Sequence, residues 1–313
     1  MTQQEKQSIM DAARAYMSEK DISQNELCSR SGVNPSYMVN MMKGDFTFIN
    51  TRNGNASEIK DIYFLKLAQT IGISLKKEYW PMVETPQLRD IYAALLDAKE
   101  ESKTRMIIGE TGCGKTYTLN RFAGAYPKGT YIVTCSRIDR LNDLIRKIQV
   151  AIGKDFSGTG SQRIDRISVE LSRRYDAGMK PVLIFDEAEY LTISGLLGVK
   201  TIYDYLKDMC GIVFIGTDDL LNNLERTLHK PGMKQFYSRF KVGKRVVRSI
   251  DRDYSTFLKG RGFDKELINE LKKEASNYRE LSDYLIPALK EADRLGVTLT
   301  AELFKSMNYL QNR

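Results

Sequence analysis

Histidine, cysteine and long hydrophobic runs are all scarce in this sequence, and each scarcity argues against a class of protein or site. The single histidine, His229, excludes a His-rich metal centre and argues against a Ser-His-Asp triad. The four cysteines are scattered with no C-x-x-C pair, which argues against a disulfide scaffold and a structural zinc site and fits a reducing cytoplasm. The longest strongly apolar stretches, 182–185 and 212–215, are far shorter than a membrane span. The polar, acidic N-terminus differs from a secretory or transit peptide.

The overall composition is typical of a globular protein, and the charged residues are unevenly distributed along the chain. The 313 residues suggest about two domains, and 42% hydrophobic with 28% charged residues is typical of a folded protein. The net charge of +8 lies in 87–313, because residues 1–86 carry ten basic and ten acidic side chains. The segment 226–261 holds eleven basic residues against two acidic ones. Such a run is often a solvated surface, but this excess favours a surface that binds a polyanion.

The first 80 residues have the pattern of an all-α domain that contains a helix-turn-helix. A capping box at Ser23 begins a short helix, Gly32 marks a tight turn, and Asn34 caps the next helix. We expect helices over 5–19, 24–30, 35–42 and 58–72, with a polar loop over 51–57. The proline-bracketed segment that follows, 81–87, predicts a linker.

After the linker, strand patterns alternate with helix patterns. We expect strands over 105–108, 130–135, 181–185 and 211–216, and helices over 115–125, 141–152, 164–175 and 199–209. This alternation predicts a parallel sheet sandwiched by helices, an α/β core over 88–252. Only helical periodicities remain over 253–313, which predicts a small helical cap at the C-terminal end.

A phosphate-binding loop is the most specific motif in the sequence. Residues 109–116 match G-x-x-x-x-G-K-[ST] in full, between an apolar strand and a helix. Glycines let the backbone curl, so that several N–H groups and the positive end of the helix face one anion. Lys115 is predicted to reach the β- and γ-phosphates, and Thr116 to place its hydroxyl on Mg²⁺. We expect the nucleotide to contact Gly109, Glu110, Thr111, Gly112, Cys113, Gly114, Lys115, Thr116 and Tyr117.

Two further strand ends carry polar side chains that suit ATP hydrolysis. One buried strand ends in Asp186 and Glu187, at the edge where open parallel sheets bind ligands. Asp186 is predicted to hold Mg²⁺ through water, and Glu187 to orient and deprotonate the attacking water. Thr217 follows the next strand, where its hydroxyl is predicted to reach the γ-phosphate and the same water.

Arginines beyond the core strands are candidates for stabilising charge on the transferred phosphate. Arg239, in the segment 236–240, is predicted to reach into the site of a neighbouring subunit. Arg226 and Arg245 compete for the same role. Arg279, at the start of a late helix, is predicted to contact the γ-phosphate of its own subunit.

In this order the motifs resemble those of the AAA+ ATPases: Walker A, Walker B, a sensor-1 position, an arginine-finger segment and a sensor-2 arginine. The resemblance covers 88–313. With the N-terminal helix-turn-helix and the compact core, the chain looks most like the transposition-helper ATPases, the group of the phage Mu B protein with the IstB and TnsC groups as relatives. The usual sensor-1 residue in many AAA+ proteins is Asn, whereas this sequence has Thr217.

The resemblance carries a set of functional expectations. It implies an AAA+ P-loop fold with a small helical C-terminal lid, and ATP and Mg²⁺ as cofactors. It implies a homo-oligomer or helical filament on duplex DNA, which delivers target DNA to a DDE transposase that in turn stimulates ATP hydrolysis. It also implies a cytoplasmic protein, bacterial or phage-encoded, that works at the nucleoid without a membrane.

Two groups of residues are candidates for contacting DNA. The segment 24–42 resembles a lambda-repressor-like helix-turn-helix, whose second helix presents Asn34, Ser36, Tyr37 and Asn40. Because the N-terminal domain is neutral, a protein contact stays open as its role. In the ATPase domain we expect phosphate contacts, nearly independent of base sequence, from Arg137, Arg140, Lys154 and Arg163.

Two other functions remain open at the level of sequence. A helicase loader or replication initiator would use the same ATPase with a different client. A nucleotide-switched transcriptional repressor would use the nucleotide only as a switch, but the neutral helix-turn-helix and the intact pair Asp186 and Glu187 argue against it.

Overall fold

The computed structural model describes residues 1, 3–49, 56–72 and 79–308. The chain divides into two compact units, Met1–Tyr79 and Trp80–Arg313, each with its own hydrophobic core. Each unit is described separately.

The first unit is built mainly from the predicted helices, and the predicted caps are confirmed. The Ser23 side chain accepts a hydrogen bond from the backbone N–H of Glu26 at 3.2 Å, and Gly32 ends the helix with φ 63°. The Asn34 side chain accepts from the N–H of Ser36 at 2.8 Å. The elements are α1 (Gln3–Lys20), α2 (Gln24–Ser31), α3 (Pro35–Met42), β1 (Thr47–Ile49), β2 (Ala56–Glu58) and α4 (Asp61–Thr70).

The first unit is not entirely helical, which corrects the all-α prediction for this part of the chain. Strands β1 and β2 pair in antiparallel fashion, with Thr47 opposite Glu58. Part of the predicted loop, 51–55, lies outside the described residues, and its last two positions belong to β2. Strands of three residues are too short to show a readable alternation, so they depend on pairing with a partner strand.

The second unit contains a five-stranded parallel sheet. Its strands are β3 (Thr104–Ile108), β4 (Thr130–Thr134), β5 (Val182–Asp186), β6 (Gly211–Gly216) and β7 (Lys244–Val246), in the spatial order β4-β5-β6-β3-β7. Strand β6 lies between β5 and β3. The carboxyl ends of these three strands therefore bring the phosphate loop, Asp186 and Thr217 to one edge of the sheet.

Helices cover both faces of this sheet. They are α5 (Pro86–Glu100), α6 (Lys115–Ala125), α7 (Leu141–Ala151), α8 (Gly160–Asp176), α9 (Ile193–Tyr205), α10 (Asp218–Thr227) and α11 (Met233–Phe240). Two short 3₁₀ turns, Ala188–Tyr190 and Lys241–Gly243, connect them to their neighbours. No helix in the described part of the chain is long and apolar enough to cross a bilayer.

The C-terminal helices form the predicted cap, which we call the lid. It consists of α12 (Ser255–Leu258), α13 (Lys265–Glu274), α14 (Tyr278–Leu295) and α15 (Ala301–Met307). Its buried side chains, among them Leu281 and Phe304, continue one of the two cores that flank the sheet. The lid is therefore packed against the α/β core through apolar contacts.

Alternate residues of each central strand enter different cores. In β5, Val182 and Ile184 join the core shared with the lid, whereas Leu183 and Phe185 join the core under α7, α8 and α9. Because both faces of the strand are buried, its sequence is continuously apolar rather than alternating.

The segment predicted as a linker includes the anchored start of α5. The Thr85 hydroxyl accepts a hydrogen bond from the N–H of Leu88 at 3.1 Å, which caps the helix. Gln87 is 1% exposed, and its side chain contacts the carbonyl of Ser249 and the hydroxyl of Tyr278. Gln87 is thus held by partners more than 150 positions away in the chain, a contact that local sequence cannot indicate.

Candidate functional site

The phosphate loop joins β3 to α6 and has the backbone that its glycines permit. Gly112 and Gly114 adopt φ values of 75° and 94°, in the left-handed region that other residues rarely occupy. A Cβ on Gly109 would lie 3.0 Å from Sγ of Cys113, so the loop also needs a small residue there. The loop is a preformed cradle at a helix N-terminus, the geometry that binds phosphate.

Lys115 lies across this loop with its ammonium group on backbone oxygens. Its Nζ donates to the carbonyls of Gly109 at 2.9 Å and Glu110 at 3.0 Å, and the residue is only 9% exposed. A buried ammonium needs anionic or dipolar partners, and phosphate oxygens would serve better than carbonyls.

Thr116 and Asp186 meet at the position predicted for Mg²⁺. The Thr116 hydroxyl donates to Oδ2 of Asp186 at 2.9 Å. Burial raises the pKa of Asp186, while the hydrogen bond from Thr116 acts in the opposite direction. One hydroxyl and one carboxylate suit Mg²⁺, which takes few protein oxygens and fills its shell with water and phosphate. The described residues contain no group of three or more His, Cys, Asp and Glu side chains that could hold a metal ion.

Glu187 leaves the strand through an unusual backbone conformation. Its φ of 56° and ψ of 40° place a non-glycine residue in the left-handed region, at a cost of about 1–2 kcal/mol. Its side chain lines the cavity described below. Burial raises its pKa, and the neighbouring carboxylates of Glu189 and Asp186 raise it further. These features suit a carboxylate that must take a proton from water.

Thr217 contacts an acidic residue that the sequence analysis did not single out. Its hydroxyl donates to Oε1 of Glu189 at 3.0 Å, and both residues line the cavity. Glu189 lies in the 3₁₀ turn directly after Glu187. A second acid two positions after Glu187 is the signal in the sequence that could have identified it.

These residues surround a cavity of about 620 Å³, a volume typical of small-ligand sites. From the predicted set the cavity is lined by Thr111, Gly112, Cys113, Gly114, Lys115, Thr116, Tyr117, Glu187, Thr217 and Arg279. One part of the remaining wall is apolar. The rings of Trp80 and Phe257 stack at 4.7 Å with an interplanar angle of 16°, and Val83 and Leu88 lie beside them. Sequence analysis missed this wall because its members come from different predicted parts of the chain. Trp80 ends the predicted N-terminal domain, Val83 lies in the predicted linker, and Phe257 belongs to the lid.

The lid and the segment just before it each contact the phosphate loop. Asn277 caps α14 and lies so close to Gly112 that a Cβ there would be 2.2 Å from its Oδ1. Arg252 donates to the carboxylate of Glu110 at 2.8 Å. Arg279, the second residue of α14, is exposed and lines the cavity, and its charge lowers the pKa of Glu187.

The arginine-finger candidates lie elsewhere. Arg239 pairs with Asp204 of α9 at 2.6 Å and donates to the carbonyl of Gln235. Arg226 and Arg245 are exposed on α10 and β7. Within the described residues, the structure places none of these three arginines in the wall of the chain's own cavity. Action in a neighbouring subunit stays a prediction.

The candidate DNA contacts of the first unit are mostly engaged within it. Asn34 caps α3, and the side chain of Asn40 donates to the carbonyl of Thr47 at 2.9 Å. The Tyr37 ring packs against Phe48 with ring centroids 4.8 Å apart. Asn34 and Ser36 are the exposed members of the predicted set, and the Asn34 side chain is used as the cap. DNA binding by this unit stays a prediction.

The basic candidates of the second unit fall into two groups. Lys154 pairs with Glu170 at 3.8 Å, and Arg163 donates to the side chain of Asn142 at 2.6 Å. Arg137 and Arg140 are exposed in and beside the turn that follows β4. The structure therefore favours the second group for contact with an anionic partner.

Comparison with known proteins agrees with the fold. Residues 98–224 match the family model described as AAA domain. The ORC2 protein of Aeropyrum pernix in its ADPNP–ADP complexes matches with a TM-score of 0.50 at 15% identity, over 71% of this chain and 65% of that one. Its ADP form matches with a TM-score of 0.50 at 13% identity, over 74% and 70%. The fold is that of an AAA+ P-loop ATPase.

A curated relative is similar to this chain over most of its length. The Mu-like prophage FluMu DNA transposition protein B of Haemophilus influenzae is 19% identical over 246 residues, which are 77% of this chain and 79% of that protein. The predicted resemblance to the AAA+ transposition-helper ATPases is confirmed. These matches leave the helix-turn-helix of the first unit a prediction.

Proposed function

We propose that the protein is an ATP-hydrolysing, DNA-binding AAA+ ATPase that assembles on duplex DNA and delivers it to a transposase. The observation that carries the proposal is the convergence of Lys115, Thr116, Glu187 and Thr217 on one cavity. The carboxylate of Asp186 is buried behind Thr116 and accepts its hydroxyl at 2.9 Å. The similarity to a phage transposition protein supports the transposase as client.

The cavity offers distinct surfaces to the two ends of ATP. The triphosphate lies in the loop, where Lys115 exchanges its carbonyl partners for β- and γ-phosphate oxygens. The base packs against the apolar wall formed by Trp80 and Phe257. Mg²⁺, held by Thr116 and through water by Asp186, neutralises charge on the phosphate oxygens when it is bound.

Hydrolysis depends on Glu187 and on charges that surround the γ-phosphate. Glu187 takes a proton from the attacking water, and its raised pKa makes it a better acceptor. Arg279 approaches the γ-phosphate from the lid of the same chain. Arg239 of a neighbouring copy completes the site after leaving Asp204, so ATP holds adjacent copies together.

DNA contact is assigned first to the turn after β4. The carboxylate of Asp139 accepts from the N–H of Ser136 at 2.8 Å and from Nζ of Lys147 at 2.6 Å. These bonds fix the turn that presents Arg137, with Arg140 next to it. Such residues would contact phosphates and bind DNA with little base preference. Lys154, Arg163 and the first unit are secondary candidates.

Assembly is the step that nucleotide state controls. A ligand that binds between copies stabilises the oligomer, and its hydrolysis removes that contribution. The proposal therefore includes an ATP-dependent filament on DNA that a DDE transposase disassembles by stimulating hydrolysis. We place this activity in a bacterial cytoplasm, at the nucleoid.

Substitutions of Lys115 and Glu187 test the proposal. Lys115→Ala removes the phosphate partner, so ATP binding and ATP-dependent co-sedimentation with duplex DNA are expected to be lost. Glu187→Gln retains ATP binding but lowers hydrolysis by about 100-fold or more, so it persists on DNA. Lys128→Ala, on an exposed turn, is the matched control.

The outcomes of this experiment separate the parts of the proposal. Wild-type co-sedimentation by Lys115→Ala contradicts the ATP-dependent assembly. Rapid release of Glu187→Gln from DNA contradicts the role of Glu187. Pull-down with a transposase supports the proposed client, whereas selective capture of a replicative helicase replaces it with helicase loading.

A further inference from the structure

Glu189 is an acidic residue of the cavity to which the proposed reaction gives no role. It lies in the 3₁₀ turn Ala188–Tyr190, and its backbone carbonyl accepts from the side chain of Asn223 at 3.1 Å. Its Oε1 accepts the hydrogen bond from the Thr217 hydroxyl at 3.0 Å. The turn and α10 thus hold this carboxylate against the side chain that follows β6.

The space for the carboxylate depends on a glycine. A Cβ on Gly216 would lie 2.3 Å from Oε2 of Glu189, so a larger residue at this strand end would displace the carboxylate. The same oxygen is buried and receives no hydrogen bond from any described residue. A buried acceptor without a donor costs free energy. The position of Glu189 is therefore poorly explained as a contribution to stability.

The hydrogen bond to Glu189 decides what Thr217 can offer to the cavity. A threonine hydroxyl has one proton to donate and two lone pairs that accept. With its proton directed to Glu189, Thr217 presents only lone pairs to a ligand. A γ-phosphate oxygen also has only lone pairs, so the two would repel each other. A water molecule has protons to give, and it can donate to Thr217.

We propose that Glu189 is a positioning residue that holds the Thr217 hydroxyl as an acceptor for the attacking water. The inference rests on the proposed ATP hydrolysis and refines the expected role of Thr217, which orients water instead of donating to the γ-phosphate. The water then has two acceptors on the protein, Thr217 and Glu187, which together fix the direction of its free lone pair.

The reaction balances without a change of state at Glu189. The water oxygen forms a bond to the γ-phosphorus, and the bond from that phosphorus to the β–γ bridging oxygen breaks, so ADP leaves with the electron pair. One water proton passes to Glu187 and from there to the released phosphate. Thr217 keeps its proton and returns to its starting hydrogen bond with Glu189.

A double-mutant cycle of Glu189 and Thr217 tests this inference. Glu189→Ala and Thr217→Val are each expected to lower kcat by about 10- to 100-fold, the cost of a misplaced reactant, with little change in the dissociation constants of ATP and ADP. Both substitutions disrupt the same hydrogen-bonded pair, Thr217 and Glu189, so the second substitution has nothing further to remove. The double variant is therefore expected to be no slower than the slower single variant. Thr217→Ser, which keeps the hydroxyl, is expected to retain most of kcat.

Controls separate positioning from folding. Glu225→Ala, an exposed acid on α10, is expected to behave as wild type. Each variant is checked by its thermal midpoint and its ADP affinity. If Glu189→Ala loses ADP binding through misfolding, Glu189→Met, of similar length and without a strong acceptor, takes its place in the cycle.

The results that would contradict the inference differ from those that would contradict the proposed function. If the loss of kcat in the double variant equals the product of the two single losses, the inference is overturned. A normal kcat in a folded Glu189→Ala overturns it as well. Absence of ATP hydrolysis by the wild-type protein with Mg²⁺ and duplex DNA overturns the proposed function itself, and the inference with it. Hydrolysis by the wild type with independent effects of the two substitutions leaves the proposed function intact and contradicts only the inference.

Discussion

At the scale of single residues, the proposed general base Glu187 lies at the end of β5 among other charged groups. Glu187 is faced by two like charges, Asp186 and Glu189, and by two cations, Lys115 and Arg279. Burial and the carboxylates raise its pKa, whereas the two cations lower it. A base must be ionised to accept a proton, so hydrolysis falls as pH drops through this raised value.

Arg279 provides a test of this balance. Arg279→Ala removes a cation that lowers the pKa of Glu187, so the acid limb of the kcat profile is expected to move to higher pH. Arg279→Lys keeps the charge and is expected to keep the limb near its wild-type position. The measurement is kcat against pH at saturating ATP. An unchanged limb in Arg279→Ala would show that this arginine does not act on the titrating cluster, whose apparent value belongs to the coupled carboxylates together.

The site residues that sequence predicted are those with local signatures. The phosphate loop is contained in eight consecutive residues, and Asp186 directly follows four apolar ones. Glu189 and the apolar wall around Trp80 have no comparable signature. Their place in the site depends on partners such as Thr217 and Phe257, which lie far away in sequence.

At the scale of secondary-structure elements, one ionic cluster connects α8 to its neighbours. Glu170 accepts from Arg173 and Arg174 of the same helix, and Arg174 also donates to the carbonyl of Ile152 and the hydroxyl of Tyr131. The hydrogen bond from Arg173, followed by that from Arg174, lowers the pKa of Glu170 to about 2 against the opposing effect of burial. The cluster therefore fastens α8 to α7 and β4.

Glu170→Gln is expected to destabilise the second unit in a pH-dependent manner. A lowered carboxyl pKa stabilises the fold above the ordinary value of 4.5, and this contribution is lost as pH falls toward about 2. We expect a loss of about 1–2 kcal/mol at pH 7, reduced because Arg173 is largely exposed and screened by solvent. Urea unfolding at pH 7 and at pH 3 measures it, with Glu225→Gln as control. An equal loss at both pH values would contradict the assignment.

Helices with strong caps and strands with continuous apolar runs were predicted from sequence, whereas other elements were not. The caps at Ser23 and Asn34 depend on residues two or three positions away. Strand β7 is exposed along its three residues and exists through its pairing with β3. Helix α5 was not predicted because its first residue, Pro86, was assigned to the linker. Proline nevertheless suits the first turn of a helix.

At the scale of the whole molecule, the positive charge of the segment 226–261 is less available to an anionic partner than the sequence indicates. Three arginines of the segment 226–261 pair with acids outside it: Arg239 with Asp204, Arg248 with Asp90 and Arg252 with Glu110. Exposed ion pairs of this kind are weak, but they reduce the local positive charge. The segment alone is therefore a poorer guide to the proposed DNA-binding surface than its composition suggests.

The turn after β4 provides the corresponding test. Arg137→Ala combined with Arg140→Ala is expected to weaken duplex binding on all sequences alike. It should lower the slope of log affinity against log salt by about two for each bound copy. Arg294→Ala, an exposed arginine of the lid, is the control. Fluorescence anisotropy across a salt series measures both quantities, and an unchanged slope would assign DNA contact to another surface.

The sequence by itself determined the alternation of strands and helices, the phosphate loop and the acidic end of β5, because each depends on residues within a few positions of one another. Only the tertiary structure decided that Glu189 receives the hydroxyl of Thr217, that Trp80 stacks on Phe257 and that Arg239 lies against Asp204. Those pairings join positions 28 to 177 residues apart. These pairings are stabilised by packing and charge between separate elements. A local pattern of residue types therefore does not predict them.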